Sequence, residues 1–170
     1  MEFSPVIDVC NRLMDEAETP MRVRAHCFKV ADFALRIAGV LSECGEPINL
    51  ELVFFSALLH DVKRSSPNHA AAGAVFVREK GYPEAAEIIS RHMDIGEVSN
   101  SGVSECEIVY LADKVTLDDG FCSLCDRLSS LTQEKRPYAE PRIRAAMLIQ
   151  RKIEDITLRP FSVIVGVTVS

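Results

Sequence analysis

The chain has 170 residues, 48% of them hydrophobic, which is enough for one compact domain with a substantial core and too little for two well-filled ones. Its formal charge of −6, from 19 basic and 25 acidic residues with no basic block, argues against a nucleic-acid backbone or an anionic membrane surface as a partner. The most apolar uncharged stretches, 52–59 and 161–170, are far shorter than the roughly 20 residues a spanning helix needs.

In chain order the sequence reads as helix after helix. Ser4-Pro5 is a cap followed by a proline suited to a first helical position, and Val6, Cys10, Leu13 and Met14 recur at helical spacing up to a stop near Thr19-Pro20. Val23, Cys27, Val30, Ala34, Ile37 and Leu41 then step by three and four toward an end before Gly45 and Pro47, with His26 on the flank of the stripe. Asn49 can cap a third helix that is apolar all round from Leu52 to Leu59 apart from Ser56. Such a helix belongs at the centre of a domain, and its last turn is the doublet His60-Asp61. Ser66-Pro67 repeats the cap-and-proline signature and places His69 in the first turn of a helix running through Ala72, Val75 and Phe76 to Gly81. From Pro83 onward, Ala85, Ile88, Ile89 and His92 fall at i, i+3, i+4 and i+7, which puts His92 on the buried stripe.

After a loop over 96–103, Ser104 and Glu107 form a capping-box pattern that opens a helix with Ile108, Leu111, Ala112 and Val115 as its stripe and Asp113 beside it. Further helices are expected over 119–131 and 141–158, the second with Arg and Lys along one face. The ending 161–170 is rich in β-branched residues and has strand character. Pairing with a second copy in a homodimer, packing as an extended arm and disorder are all open for it. The expected architecture is all-α, a bundle of about seven or eight helices forming a single domain over 1–160, followed by a short apolar tail over 161–170. Six cysteines, at 10, 27, 44, 106, 122 and 125, lie mostly inside helical patterns, and nothing at the start resembles a secretion signal, so a reduced cytoplasmic setting is expected. Cys122 and Cys125 lack a second pair and read as two partly buried cysteines rather than a zinc or redox motif.

All four histidines fall with two aspartates in one order: His26, His60-Asp61, His69, His92 and Asp113. A single buried histidine is ordinarily a satisfied core residue. Six ionisable groups at core-facing or terminal helix positions need a common reason, and a divalent transition metal supplies one, because imidazole and carboxylate are donors that Mn²⁺, Fe²⁺, Co²⁺, Ni²⁺ or Zn²⁺ accept. The adjacent pair at the end of a buried helix can aim two ligands at one point, and His26 and Asp113 from neighbouring helices would complete an open site with room for water.

This order of motifs, with His60-Asp61 after an apolar Ala-Leu-Leu run and Asp113 within Tyr-Leu-Ala-Asp-Lys, resembles the HD-domain superfamily of metal-dependent phosphohydrolases over about residues 20–130. The resemblance implies a helical bundle in which His26, His60, Asp61 and Asp113 hold a first metal. His69 and His92 stand where some members place ligands of a second, with Asp61 as the bridge, giving one or two ions per chain. The segments 57–64, 67–74, 91–94 and 109–114 look like HD modules that stand alone or are joined to molybdenum-cofactor nucleotidyltransferases. They are similar, less closely, to HD enzymes that split diadenosine tetraphosphate, although the short spacing from Asp61 to His69 leaves little insertion for a dinucleotide pocket. Gly81-Tyr82-Pro83, which in the branch degrading cyclic dinucleotides follows a double histidine, here precedes His92 and reads as a helix stop and restart.

The expected chemistry is hydrolysis of a phosphoester or phosphoanhydride in a small phosphorylated substrate, such as a nucleotide, by metal-activated hydroxide. Asp61, Lys63, Lys114 and Asp94 are the candidate catalytic residues, Asp94 as an orienter of a ligand imidazole or a general acid or base. Lys63, Arg64, Lys114 and Arg127 are the candidate phosphate contacts, with ordinary solvated charges as the plainer alternative for each. The competing reading is a metal- or nucleotide-binding regulatory module with little turnover, possibly serving a molybdenum-cofactor enzyme.

Overall fold

The structure, a computed structural model, describes residues 3–133 and 139–167. Among these residues the helices are α1 (Ser4–Glu16), α2 (Met21–Glu43), α3 (Leu50–Leu59), α4 (His69–Glu79), α5 (Pro83–Arg91) and α6 (Glu105–Lys114). A two-stranded hairpin, β1 (Thr116–Leu117) with β2 (Gly120–Phe121), leads to α7 (Leu124–Gln133), α8 (Glu140–Thr157) and α9 (Phe161–Val165). The architecture is all-α, and no helix among the described residues is long and apolar enough to cross a membrane.

The apolar helix takes the centre. Asn49 Oδ1 accepts from the Leu52 N–H at 3.1 Å, and every residue from Val53 to Leu59 is buried. α3 packs against α1, α2, α5 and α6, so all its faces are covered and its last turn is carried into the interior. Directly after it, the turn containing Asp61 and Val62 is pinned from outside, because the buried Thr19 hydroxyl donates to the Val62 carbonyl at 2.9 Å. α4 lies close against α5 because Gly73 has no side chain. A Cβ there would stand 3.3 Å from Ile89 Cγ2 and 3.5 Å from Val62 Cγ1.

At α6 the capping box forms as the pattern requires, with the Ser104 hydroxyl accepting from the Glu107 N–H and the Glu107 carboxylate accepting from the Ser104 N–H. The same carboxylate accepts from the Ser99 N–H at 3.0 Å and from Lys152 of α8 at 2.9 Å. One buried acid therefore ties the 96–103 loop, α6 and α8 together. Burial alone would raise its pKa. The hydrogen bonds from the Ser104 backbone, Lys152 and the Ser99 backbone outweigh it and hold the carboxyl below its ordinary range.

Three expectations are corrected. α4 begins at His69 rather than at Pro67, because the chain from 60 to 68 is occupied by consecutive turns, one of them closed by Arg64 N–H to Asp61 O at 2.8 Å. The helix expected from 119 starts at Leu124, since Asp118 takes a left-handed φ of 55° and turns the chain back into the hairpin. The tail is not a strand over 161–165. Phe161, Ile164 and Val165 fall at i, i+3 and i+4, α9 buries all three while packing on α2 and α8, and this packing overrides β-branched propensity. Residues 168–170 lie outside those described.

Glu107→Gln keeps the shape of the side chain and removes its charge, so it should lower unfolding free energy by about 2 kcal/mol at pH 7. A depressed folded pKa contributes stability above the unfolded value of about 4.3 and loses it as pH falls through the folded value. The difference between wild type and variant in urea denaturation should therefore shrink at pH 3. A constant difference would contradict the charge-based account.

Candidate metal centre

Each of the six metal-binding candidates lies at or near a helix end or faces one. His60 caps the C-terminus of α3 and Asp61 follows it, His92 caps α5, His69 opens α4, Asp113 is in the last turn of α6, and His26 sits in the second turn of α2. The packing of α2 on α3 and α6, and of α5 on α3, α4 and α6, brings these ends to one place. Imidazole centroids follow one another at 5.3 Å (His26 to His60), 5.1 Å (His60 to His92) and 5.2 Å (His92 to His69).

Asp61 stands between two groups. Its Oδ2 is 3.8 Å from His60 Nε2, and Asp113 Oδ1 is 3.6 Å from that nitrogen and 3.2 Å from His26 Nε2. Its Oδ1 faces the other way, 3.2 Å from His69 Nε2 and 3.4 Å from His92 Nε2. Candidate donor atoms from His26, His60 and Asp61, and separately from Asp61, His69 and His92, lie within 4.8 Å of one another.

The hydrogen bonds of the rings fix what these atoms can do. His26 Nδ1 meets the Asp118 carbonyl at 2.8 Å, His60 Nδ1 the Ala57 carbonyl at 2.8 Å, and His92 Nδ1 the Ile89 carbonyl at 2.7 Å. A carbonyl only accepts, so in each ring Nδ1 carries a proton and Nε2 is the atom left to meet a carboxylate or a metal. The Nε2 atoms face carboxylate oxygens, that of His26 hydrogen-bonded to Asp113 Oδ1 at 3.2 Å. The buried His60 Nε2, His92 Nε2 and Asp61 Oδ1 have no hydrogen-bond partner. Imidazole nitrogens and carboxylate oxygens facing one another in a buried site need a proton or a metal cation between them, and this set of nitrogen and oxygen donors suits a divalent transition metal. The residues fit the ion they are expected to hold.

His69 differs from the other three. Arg64 Nη1, which can only donate, lies 3.2 Å from its Nδ1 and 3.4 Å from its Nε2, so a fixed cation stands against both ring nitrogens while Nε2 also faces Asp61 Oδ1. Burial, then the neighbouring His92 and Arg64, outweigh Asp61 and lower its pKa, so the ring is neutral at neutral pH. Both aspartates are ionised. Burial opposes this at Asp113, yet the Lys114 ammonium and the His26 and His60 rings hold it well below the usual carboxylate range; at Asp61, His92 and His60 likewise prevail over burial.

Among the other predicted residues, the structure brings some to the site and leaves others away. Lys114 is buried and clamps the two halves, donating to Asp113 Oδ2 at 2.5 Å and to the His92 carbonyl at 2.9 Å. Arg64 reaches Asp61 Oδ2 at 3.4 Å and His69, and Arg127 holds the Lys114 and Thr116 carbonyls at 3.0 and 2.7 Å; both line the adjoining cavity. Lys63 does not enter it. Its ammonium lies over the Phe76 ring at 4.7 Å, because the turn after Asp61 directs it to the outer face of α4. Asp94 is exposed in a turn that it closes by accepting from the Gly96 N–H at 3.1 Å, so it neither orients a ligand imidazole nor reaches the cavity. The cavity, about 500 Å³, is also lined by Arg22, Arg142 and the Asp118 turn, none of which was singled out in the sequence. Arg22 lies four residues before His26 on one face of α2 and was legible on that ground. The Asp118 contribution is a backbone carbonyl and carries no sequence signal.

The HD domain family model matches residues 23–130, more than half of the chain. An uncharacterised protein of Methanocaldococcus jannaschii is 32% identical over 100 residues, a match covering 56% of this chain and 56% of that protein. The chain thus spans little more than half the length of that relative by alignment. No solved structure matches.

Lys114→Met would leave the buried Asp113 without its cation and should cost about 3 kcal/mol in metal-free protein. In protein loaded with a divalent ion the loss should be smaller, since another positive charge faces Asp113. Denaturation of both forms measures this, and equal losses would show that Lys114 and the ion site are electrically independent.

Proposed function

Given that the chain belongs to the HD-domain family, we propose that it is a metal-dependent phosphohydrolase acting on a phosphoester or phosphoanhydride of a small phosphorylated compound, with nucleotides as the first class to test. The observation that carries this reading is the set of buried, unpartnered donors aimed at one another across Asp61, opening on a cavity rich in cations.

A divalent ion bound there supplies Lewis acidity toward a phosphoryl oxygen and a nucleophile at neutral pH by lowering the pKa of water. The protein's own part is positioning and charge. His26, His60, Asp61 and Asp113 form the better prepared set, because backbone carbonyls have already freed the Nε2 atoms of both rings. His69 and His92 with Asp61 form a second, weaker set, since Arg64 Nη1 lies against both nitrogens of His69 and must withdraw before the ring can ligate through Nε2. Arg64 and Arg127, at the cavity wall, are placed to neutralise charge on a transferring phosphoryl group, while Lys114 holds Asp113 and orders the two halves. A complete donor set with a cavity beside it favours turnover over a regulatory module. Kinship with the modules found beside molybdenum-cofactor nucleotidyltransferases rests on the four short segments alone.

Elemental analysis of freshly purified protein should find two ions of unequal retention, the second lost first on dialysis against chelator. Asp61→Asn should release both and reduce hydrolysis of p-nitrophenyl phosphate to the level of metal-free protein, whereas His69→Ala should retain about one ion. Two ions kept by Asp61→Asn would remove the bridge. No hydrolysis of p-nitrophenyl phosphate or of a nucleotide panel with Mn²⁺, Fe²⁺, Co²⁺, Ni²⁺ or Zn²⁺ would overturn the phosphohydrolase reading.

A further inference from the structure

The cavity beside the candidate metal centre gathers five of the chain's 19 basic residues, Arg22, Arg64, Lys114, Arg127 and Arg142, in a molecule whose formal charge is −6. Three of them are engaged. Lys114 holds Asp113 and the His92 carbonyl, Arg64 lies against Asp61 and His69, and Arg127 Nη1 spans two backbone carbonyls. Arg22 and Arg142 have no ion pair or side-chain hydrogen bond with any described residue.

These two arginines come from different elements, α2 and α8, and each sits in the first turn of its helix. A cation in a first turn is set against the helix dipole, so intrahelical electrostatics do not account for either one. Both line a cavity that Asp61 and His92, with their buried unpartnered atoms, also line, and Arg22 is exposed while Arg142 is half-buried. A guanidinium offers five donors in a fork matched to phosphate or carboxylate, and two such forks on one cavity wall, without an ion pair among the described residues, can receive an anion.

We infer that Arg22 and Arg142 form a second anion subsite at the cavity mouth, so that the substrate carries two separated anionic groups, one phosphoryl group at the metal centre and a further phosphate or carboxylate between the two arginines. This rests on the phosphohydrolase reading and narrows it to a class, compounds that are at least doubly anionic with the charges at opposite ends. A monophosphate ester of a neutral alcohol leaves the mouth unfilled. The roughly 500 Å³ of the cavity accommodates a small molecule of that kind.

The test uses non-hydrolysable probes with the metal-loaded protein. Alkylene bisphosphonates with two to about eight methylenes are compared by titration calorimetry with alkyl monophosphonates of matching length. One spacing should bind about tenfold or more tightly than its monophosphonate, as a second charge-assisted contact provides. In Arg22→Ala and Arg142→Ala the ratio of the two affinities should fall toward one, with metal content unchanged by elemental analysis. No advantage at any spacing, or an advantage that survives both variants, overturns the subsite. Hydrolysis of p-nitrophenyl phosphate in the same preparations separates the cases. Turnover without a bisphosphonate advantage removes only this inference, and absence of turnover together with absence of phosphonate binding removes the phosphohydrolase reading beneath it.

Discussion

The structure depends on one buried carboxylate having to satisfy two sets of imidazoles at once. Asp61 presents Oδ2 toward His60 and Oδ1 toward His69 and His92. To hold a charge in that position, the chain must deliver it at the end of a buried helix, which is why α3 from Leu52 to Leu59 is apolar apart from Ser56 and why four helices surround it. The unfavourable act of burying Asp61 and Asp113 is offset by Arg64 at the first and Lys114 at the second, and a divalent ion held between imidazoles and carboxylates would offset it further. Folding and function meet at this point, because the same burial that stabilises the bundle strips water from the donors and makes them competent ligands.

Around the centre, charge is divided by function. Cations nearest the ligands are committed to protein atoms and act on geometry, as Lys114 does between Asp113 and the His92 carbonyl. Arg22 and Arg142, on the same cavity wall, have no ion pair with a described residue. Glu107 plays a comparable structural part at a distance, drawing Ser99, Ser104 and Lys152 together so that the loop after His92 and the helix bearing Asp113 hold their spacing.

Most of this was legible in the sequence for physical reasons that can be named. The candidate ligands were visible because ionisable side chains at the stripe or end of an apolar helix conflict with their surroundings, and a shared counter-charge would resolve the conflicts together. Asn49, Ser104 with Glu107, and Gly81 marked helix ends through local hydrogen-bonding rules that need no tertiary information. The failures arose where tertiary packing decided. Residues 161–165 are β-branched and yet helical because α2 and α8 cover their apolar side, and the hairpin at 116–121 depends on a left-handed Asp118 that composition does not announce. Lys63 and Asp94 stood next to ligands in sequence, but a turn rotates a neighbour by a large angle, and adjacency along the chain was no guide to direction. Arg142, far along the chain in α8, gave no local sign at all.

Three of the four imidazoles are oriented by main-chain carbonyls, two of them from the preceding turn of their own helices and the third, for His26, from the hairpin tip at Asp118. A main-chain acceptor persists through any point substitution. The orientation of His60 and His92 is thus inherited with helicity itself, and drift in the surrounding side chains leaves their tautomers intact. His26 is governed by loop length instead. One residue inserted or deleted between 117 and 120 would withdraw its acceptor while leaving all six ligands in the sequence, so two chains with identical ligand motifs can differ in the quality of the centre through a change that motif comparison does not register.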